Sequence, residues 1–202
     1  MVLVAVSVAL VDCALVTDLN DLRGVASGDA TSDGAGTDVE AGEITDGGDA
    51  SLLPNGDFEQ GTAGCGPGWI ATNGTLTRSS TAHSGAASCE VCVSAGDWTN
   101  VHASPRPVVD PPASATYSAQ VWLKVEDSSV VSEVALDIEE STQGGTLAWQ
   151  PGDPANTTWQ LVQASTKPAV AGGTDVDFSV HLILNDGGAG CVLIDDAELV
   201  RQ

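Results

Sequence analysis

Five side chains, Trp122, Asp137, Glu139, Asp177 and His181, stand where they could act on one ligand. Each lies in a stretch that alternates apolar and polar residues. Tyr117, Ala119, Val121, Leu123 and Val125 share one face of the first stretch. Val134, Leu136 and Ile138 share a face of the second, and Phe178, Val180, Leu182 and Leu184 a face of the third. If those faces look into a core, Trp122 and Lys124 look out, as do Asp137 and Glu139, and Asp177, Ser179 and His181. An outward indole with carboxylates and an imidazole on neighbouring strands suits a sugar: the flat ring stacks on a pyranose face while the acids hold hydroxyls. The pattern equally fits Trp122 packed beneath a loop or a second layer, and the sequence leaves both readings open.

Acid–base catalysis is weakly supported by the same residues. Glycoside hydrolysis needs two carboxylates set across a sugar. Glu139 and Glu140 are neighbours, as are Asp195 and Asp196, so on a strand the members of each pair point to opposite faces. Asp137, Glu139 and Asp177 could supply a pair, but only with a raised pKa. No G-x-S-x-G elbow, H-E-x-x-H pair or phosphate loop occurs. The expectation is a protein that is not an enzyme.

The elements that carry these residues read as short strands. From Leu52 onward, apolar-alternating runs are separated by Gly, Pro, Asn and Asp, with no capped helical stretch. Several short strands over about 150 residues indicate an all-β sandwich. Of the eight aromatic residues, five are Trp. Trp98 and Trp149 lie in turn-rich surroundings, where they could flank a cleft or fill a loop. Residues 65, 89, 92 and 191 are Cys. Cys89-x-x-Cys92 has no second pair to complete a zinc site. On one strand the two would face opposite ways and need different partners. The preferred pairing is Cys65 with Cys89 and Cys92 with Cys191, although spacing leaves the connectivity open.

Charge narrows the partners. Six Lys and Arg stand against 28 Asp and Glu, a formal net charge of -22. Such a chain repels phosphate backbones and anionic bilayers, which argues against nucleic acid and anionic membrane surfaces as partners. Residues 24–50 are built almost wholly from Gly, Ala, Ser, Thr, Asp and Glu. They cannot bury enough apolar surface to offset chain entropy, and read as a flexible, self-repelling tether. Within residues 1–23, the apolar run 2–11 is followed by Asp12 and Cys13. That run resembles a bacterial lipoprotein signal, with Leu10 three residues before the Cys. It departs from the pattern at Asp12, where a small residue is expected, and in lacking a preceding Lys or Arg. The resemblance implies export and lipidation of Cys13; the alternating Val residues would also suit a buried strand.

Residues 51–202 carry a second resemblance. Leu52-Leu53-Pro54-Asn55-Gly56-Asp57-Phe58-Glu59 opens the region, and Gly68-Trp69 and His83-Ser84-Gly85 follow. Tyr117 to Lys124 and Thr158-Trp159-Gln160-Leu161-Val162 come next, and Val192 to Leu199 closes. In this order the segments resemble the carbohydrate-binding modules of families four, nine and twenty-two, the jelly-roll modules of cellulases and xylanases. The resemblance implies a galactose-binding-domain-like jelly roll with its first and last strands adjacent, and Trp69 and Trp159 in structural positions. It also implies a structural calcium held by Glu59, by Asp195 or Asp196, and by backbone carbonyls at Asp57 and after His83. The reading that follows is an extracytoplasmic polysaccharide-binding module, for a β-glucan or xylan-like chain. It would be monomeric, and either secreted or held to the outer membrane through Cys13. The rivals are an envelope scaffold that binds protein and a small glycosidase.

Overall fold

The computed structural model describes residues 50–202, apart from 63, 95–97, 113, 141–144, 167–174 and 186–187. Cys13 and residues 24–49, where a tether was expected, lie outside the described residues.

Ten strands form among the described residues. They are β1 (Trp69–Thr72), β2 (Thr75–Ser79), β3 (Ser88–Val93), β4 (Trp98–Ala103), β5 (Tyr117–Val125), β6 (Val131–Glu140), β7 (Gly145–Pro151), β8 (Gln160–Ser165), β9 (Val176–Leu184) and β10 (Gly190–Arg201). They build two antiparallel five-stranded sheets. The first has the order β1-β4-β9-β6-β7 and the second β2-β3-β10-β5-β8. Only β2–β3 and β6–β7 are consecutive strands within one sheet, so most connections cross from one sheet to the other. At the first crossing Asn73, with φ 58°, and Gly74 turn the chain.

The alternation seen in the sequence sorts the core. In the first sheet Trp69, Val101, Phe178, Val180, Leu182, Val134, Leu136, Ile138 and Leu147 are buried. From the second come Cys89, Val91, Tyr117, Val121, Leu123, Val162, Val192, Ile194 and Leu199. Branched and aromatic side chains at every second position give each strand one apolar face, and burying those faces against each other is the main stabilising term.

Two disulfides reinforce the second sheet, Cys65–Cys89 and Cys92–Cys191. This is the preferred pairing of the sequence analysis. Cys92 and Cys191 are direct cross-strand partners on β3 and β10, whereas Cys89 faces the core. The opening segment runs beside the last strand: Leu52 N–H donates to Leu199 O at 2.7 Å and Ala197 N–H to Gly56 O at 2.8 Å. Gly56 allows this approach, because a Cβ there would stand 2.0 Å from Ala197 O.

Candidate functional site

The five residues expected to share a cleft divide between the two sheets. Asp137 and Glu139 lie on β6, and Asp177 and His181 on β9, adjacent strands of the first sheet. Trp122 lies on β5, bonded to β8 and β10 in the second. Outward from β5 is the opposite side of the sandwich from outward of β6. Trp122 therefore does not join the four polar residues, and the expectation of one cleft holding all five is corrected.

Trp122 is the packed indole of the two readings. The His83 ring stacks on it, with centroids 3.7 Å apart and planes 14° from parallel, and Trp159 meets His83 edge-on at 5.7 Å. The expected core position of Trp159 is also corrected: it is half-buried outside the second sheet, whereas Trp69 is buried in the core. The segment carrying His83 is held by the acids that the resemblance assigned to calcium. Asp195 Oδ2 accepts from His83 N–H at 2.7 Å and Ser84 N–H at 3.2 Å. Asp196 Oδ2 lies 2.7 Å from His83 Nδ1, and its Oδ1 accepts from Ser84 Oγ at 2.8 Å. Glu59 Oε1 accepts from the N–H groups of Ala86 and Ala87, which hold its carboxyl below the usual range, while Arg78 Nη2 donates to Oε2. Asp57 stands apart, its Oδ1 accepting from Glu59 N–H at 3.4 Å.

Asp195 and Asp196 were expected to face opposite ways, yet both reach the His83 segment. A β-bulge between Asp195 and Glu198, with Asp196 at φ 45°, breaks the alternation and re-aims the second carboxylate. Three carboxylates thus converge on one loop beside one permanent cation, Arg78. Asp195 is fully buried, and burial pushes its carboxyl upward. Calcium takes oxygen donors of this kind, and here each carboxylate oxygen already meets a protein donor.

The outer face of the first sheet is built differently. Register sets Asn100 of β4 opposite His181 of β9, Ser179 opposite Asp137 of β6, and Asp137 opposite Trp149 of β7. Two indoles mark this face at distant corners: Trp98 is 46% exposed and Trp149 42%. They are three strand spacings apart across the sheet and four residues apart along it, which gives a separation of roughly 20 Å. The Trp149 ring tilts over His181, with centroids 5.0 Å apart.

The same face carries unsatisfied polarity. Asn100 Oδ1, Asp137 Oδ1, Asp177 Oδ1 and His181 Nε2 are all buried without a hydrogen-bond partner. His181 Nε2 approaches Asp137 Oδ2 to 3.3 Å, and Arg106 reaches Asp177 at 3.8 Å. A hydrogen bond with the Asp137 carboxyl, aided by burial and by that group's charge, pushes Glu139 up to about 7. Burial also raises Asp177, against the pull of His102 and Arg106. An unsatisfied buried polar atom costs about 1–3 kcal/mol, so four on one face call for an external partner. Asn100 and His102 of β4 were not singled out in the sequence. The faint alternation of Thr99, Val101 and Ala103 was the signal that could have found them.

No family model matches the chain, and no curated protein does. Solved structures do match. The xylan-binding domain CBM22-1 of Paenibacillus barcinonensis Xyn10C superposes with a TM-score of 0.55 at 18% identity, covering 75% of this chain and 94% of that one. The chain shares the jelly-roll fold of such modules. It also matches the arabinose-bound α-L-arabinofuranosidase MgGH51 with a TM-score of 0.61 at 17% identity, but spans only 26% of that chain. The Stig cyclase Fisc of Fischerella sp. TAU matches at 0.56 and 12% identity, over 74% of this chain and 96% of that one. One fold thus serves a binding domain and a cyclase, so function must be argued from the site.

Proposed function

We propose that the protein is a non-catalytic module that binds a neutral polysaccharide along the outer face of its first sheet. One observation carries this reading: two exposed indoles, Trp98 and Trp149, flank a strip of buried and unpartnered polar atoms. Sugar rings would stack on the indoles, and hydroxyls along the face would satisfy Asn100 and Asp177, and Asp137 and His181 where no ion holds them. The spacing of the indoles suits a short run of an extended β-linked chain, glucan or xylan-like. Asp137, Glu139 and Asp177 on the face, and a net charge of -22 on the chain, disfavour polyuronic acids.

A structural calcium belongs to the same proposal. Glu59 and Asp195, with backbone carbonyls of the segments they bridge, would hold it; the ion would neutralise carboxylates that clamp the His83 loop onto Trp122. Hydrolysis by Asp137 with Glu139 is disfavoured by geometry. For the Asp137–Glu139 pair, the ligand oxygens lie within 4.8 Å of each other, closer than the roughly 5–9.5 Å that glycosidase carboxyl pairs span. The two disulfides suit an oxidising, extracytoplasmic compartment, and lipidation of Cys13 would hold the module to the outer membrane.

The test is a pull-down of the full chain on insoluble xylan, β-glucan and a polyuronate, beside Trp98→Ala and Trp149→Ala. Retention on a neutral glycan, weakened in both variants, supports the reading. No retention on any glycan by folded, calcium-loaded protein turns it toward a protein-binding scaffold.

A further inference from the structure

The polar strip contains a group of ligands that stacking on a sugar does not use. Asp137, Glu139 and His181 each offer one ligand atom, and those atoms all lie within 4.8 Å of one another. Adjacent strands set them there: Asp137 and Glu139 alternate onto the outer face of β6, and His181 projects from β9 beside them. Asp137 is only 1% exposed, yet its Oδ1 accepts no hydrogen bond. His181 Nε2 is buried as well and makes none, although Asp137 Oδ2 is 3.3 Å away. A buried carboxylate with an unpartnered oxygen, a second carboxylate against it and an imidazole nitrogen beside both are thus ligand atoms gathered around one point. Arg106 does not supply a cation there, because its guanidinium is engaged by Asp175 and Asp177.

We infer that Asp137, Glu139 and His181 form a site for one first-row divalent transition ion, with zinc the ion of choice. The imidazole decides against calcium and magnesium, which take oxygen ligands. One imidazole with two carboxylates suits zinc and leaves a coordination position open. Glu139 and His181 are only partly buried, so that position faces the surface where the glycan is proposed to lie. The Trp149 ring, tilted over His181, limits the site on one side. A second group, Glu90 with Cys92 and Cys191, is no rival, because both sulfurs are locked in a disulfide. The ion site does not depend on the glycan reading; only the contact between ion and sugar does.

Calorimetric titration of zinc chloride into metal-stripped full chain, with calcium in excess, tests the inference. The expected result is one zinc ion per chain, bound at least tenfold more weakly by His181→Ala and by Glu139→Gln, and unchanged by Glu90→Gln. His181 and Glu139 are partly exposed, so both variants should fold, which circular dichroism checks. No zinc binding by the folded protein, or binding that neither variant weakens, overturns the site. Glycan pull-down in parallel separates the two readings. Glycan binding without a zinc site overturns this inference alone, whereas a zinc site without glycan binding overturns the polysaccharide reading alone.

Discussion

Replacing Trp149 and Trp122 by Ala should have opposite consequences. Trp149 is 42% exposed, with its ring tilted over His181. Its removal should change stability by less than about 1 kcal/mol, as for most surface changes. If its ring stacks on a sugar, the loss should be about 1–3 kcal/mol of binding, the range measured for aromatic stacking on nucleic-acid bases. That is roughly a 5- to 150-fold rise in Kd. Trp122 lies against His83 at 3.7 Å, on the other side of the sandwich. Truncating it removes a half-buried ring and its stacking partner, so about 2–3 kcal/mol of stability should go, less than for a fully buried Trp. At 2–4 °C per kcal/mol for a domain of this size, Tm should fall by roughly 5–10 °C. Glycan affinity measured below the transition should not move. Titration with soluble xylan and β-glucan, beside thermal scans of the same samples, reads both quantities. The reasoning is refuted if Trp122→Ala abolishes glycan binding in folded protein while Trp98→Ala and Trp149→Ala leave it intact.

Calcium at Glu59 and Asp195 should stabilise the fold by about 2.7 kcal/mol at a hundredfold excess over Kd; a chelator should lower Tm and Glu59→Gln should remove the calcium response, while equal Tm values with and without calcium would count against the ion. Gly85 sits at φ 63°, and a Cβ there would stand 2.2 Å from Glu59 Oε1, so Gly85→Ala should lose about 1–3 kcal/mol in denaturant melts and weaken any calcium response. The Cys92–Cys191 bond closes a separation of 99 residues, for which chain entropy assigns about 4.7 kcal/mol; the double Cys→Ala variant should melt roughly 10–20 °C lower, and an unchanged Tm would show that β3 and β10 hold without the cross-link.

What the sequence could and could not reveal follows from the geometry of a sandwich. Period two tells which side chains leave a strand on the same face, and for β5, β6 and β9 the apolar residues of the core are the ones the alternation names, although Ala135, Asp137 and Ser179 on the other face are buried as well. It does not tell to which sheet a strand belongs. β5 and β6 follow each other in the chain yet lie in opposite sheets, so "outward" from Trp122 and "outward" from Asp137 are opposite sides of the molecule. Alternation also fails where the backbone departs from a flat strand. The bulge at Asp195–Glu198 turns two carboxylates that should diverge onto one loop, a local event with no mark in residue type.

The same crossing topology explains why the proposed site is assembled from distant residues. β9 lies between β4 and β6, so Asn100, His181 and Ala135, the last of these without a polar atom, become cross-strand neighbours although they span more than eighty positions in the chain. Ala135 pairs in turn with Pro151 of β7 and is fully buried, while the polar atoms gather one step along at Asp137 and Ser179. The exposed indoles of this face are Trp98 and Trp149. In the proposed reading an extended chain laid corner to corner would meet indoles at its ends and single unpartnered polar atoms along its course, and neither half of that arrangement can be inferred from one strand.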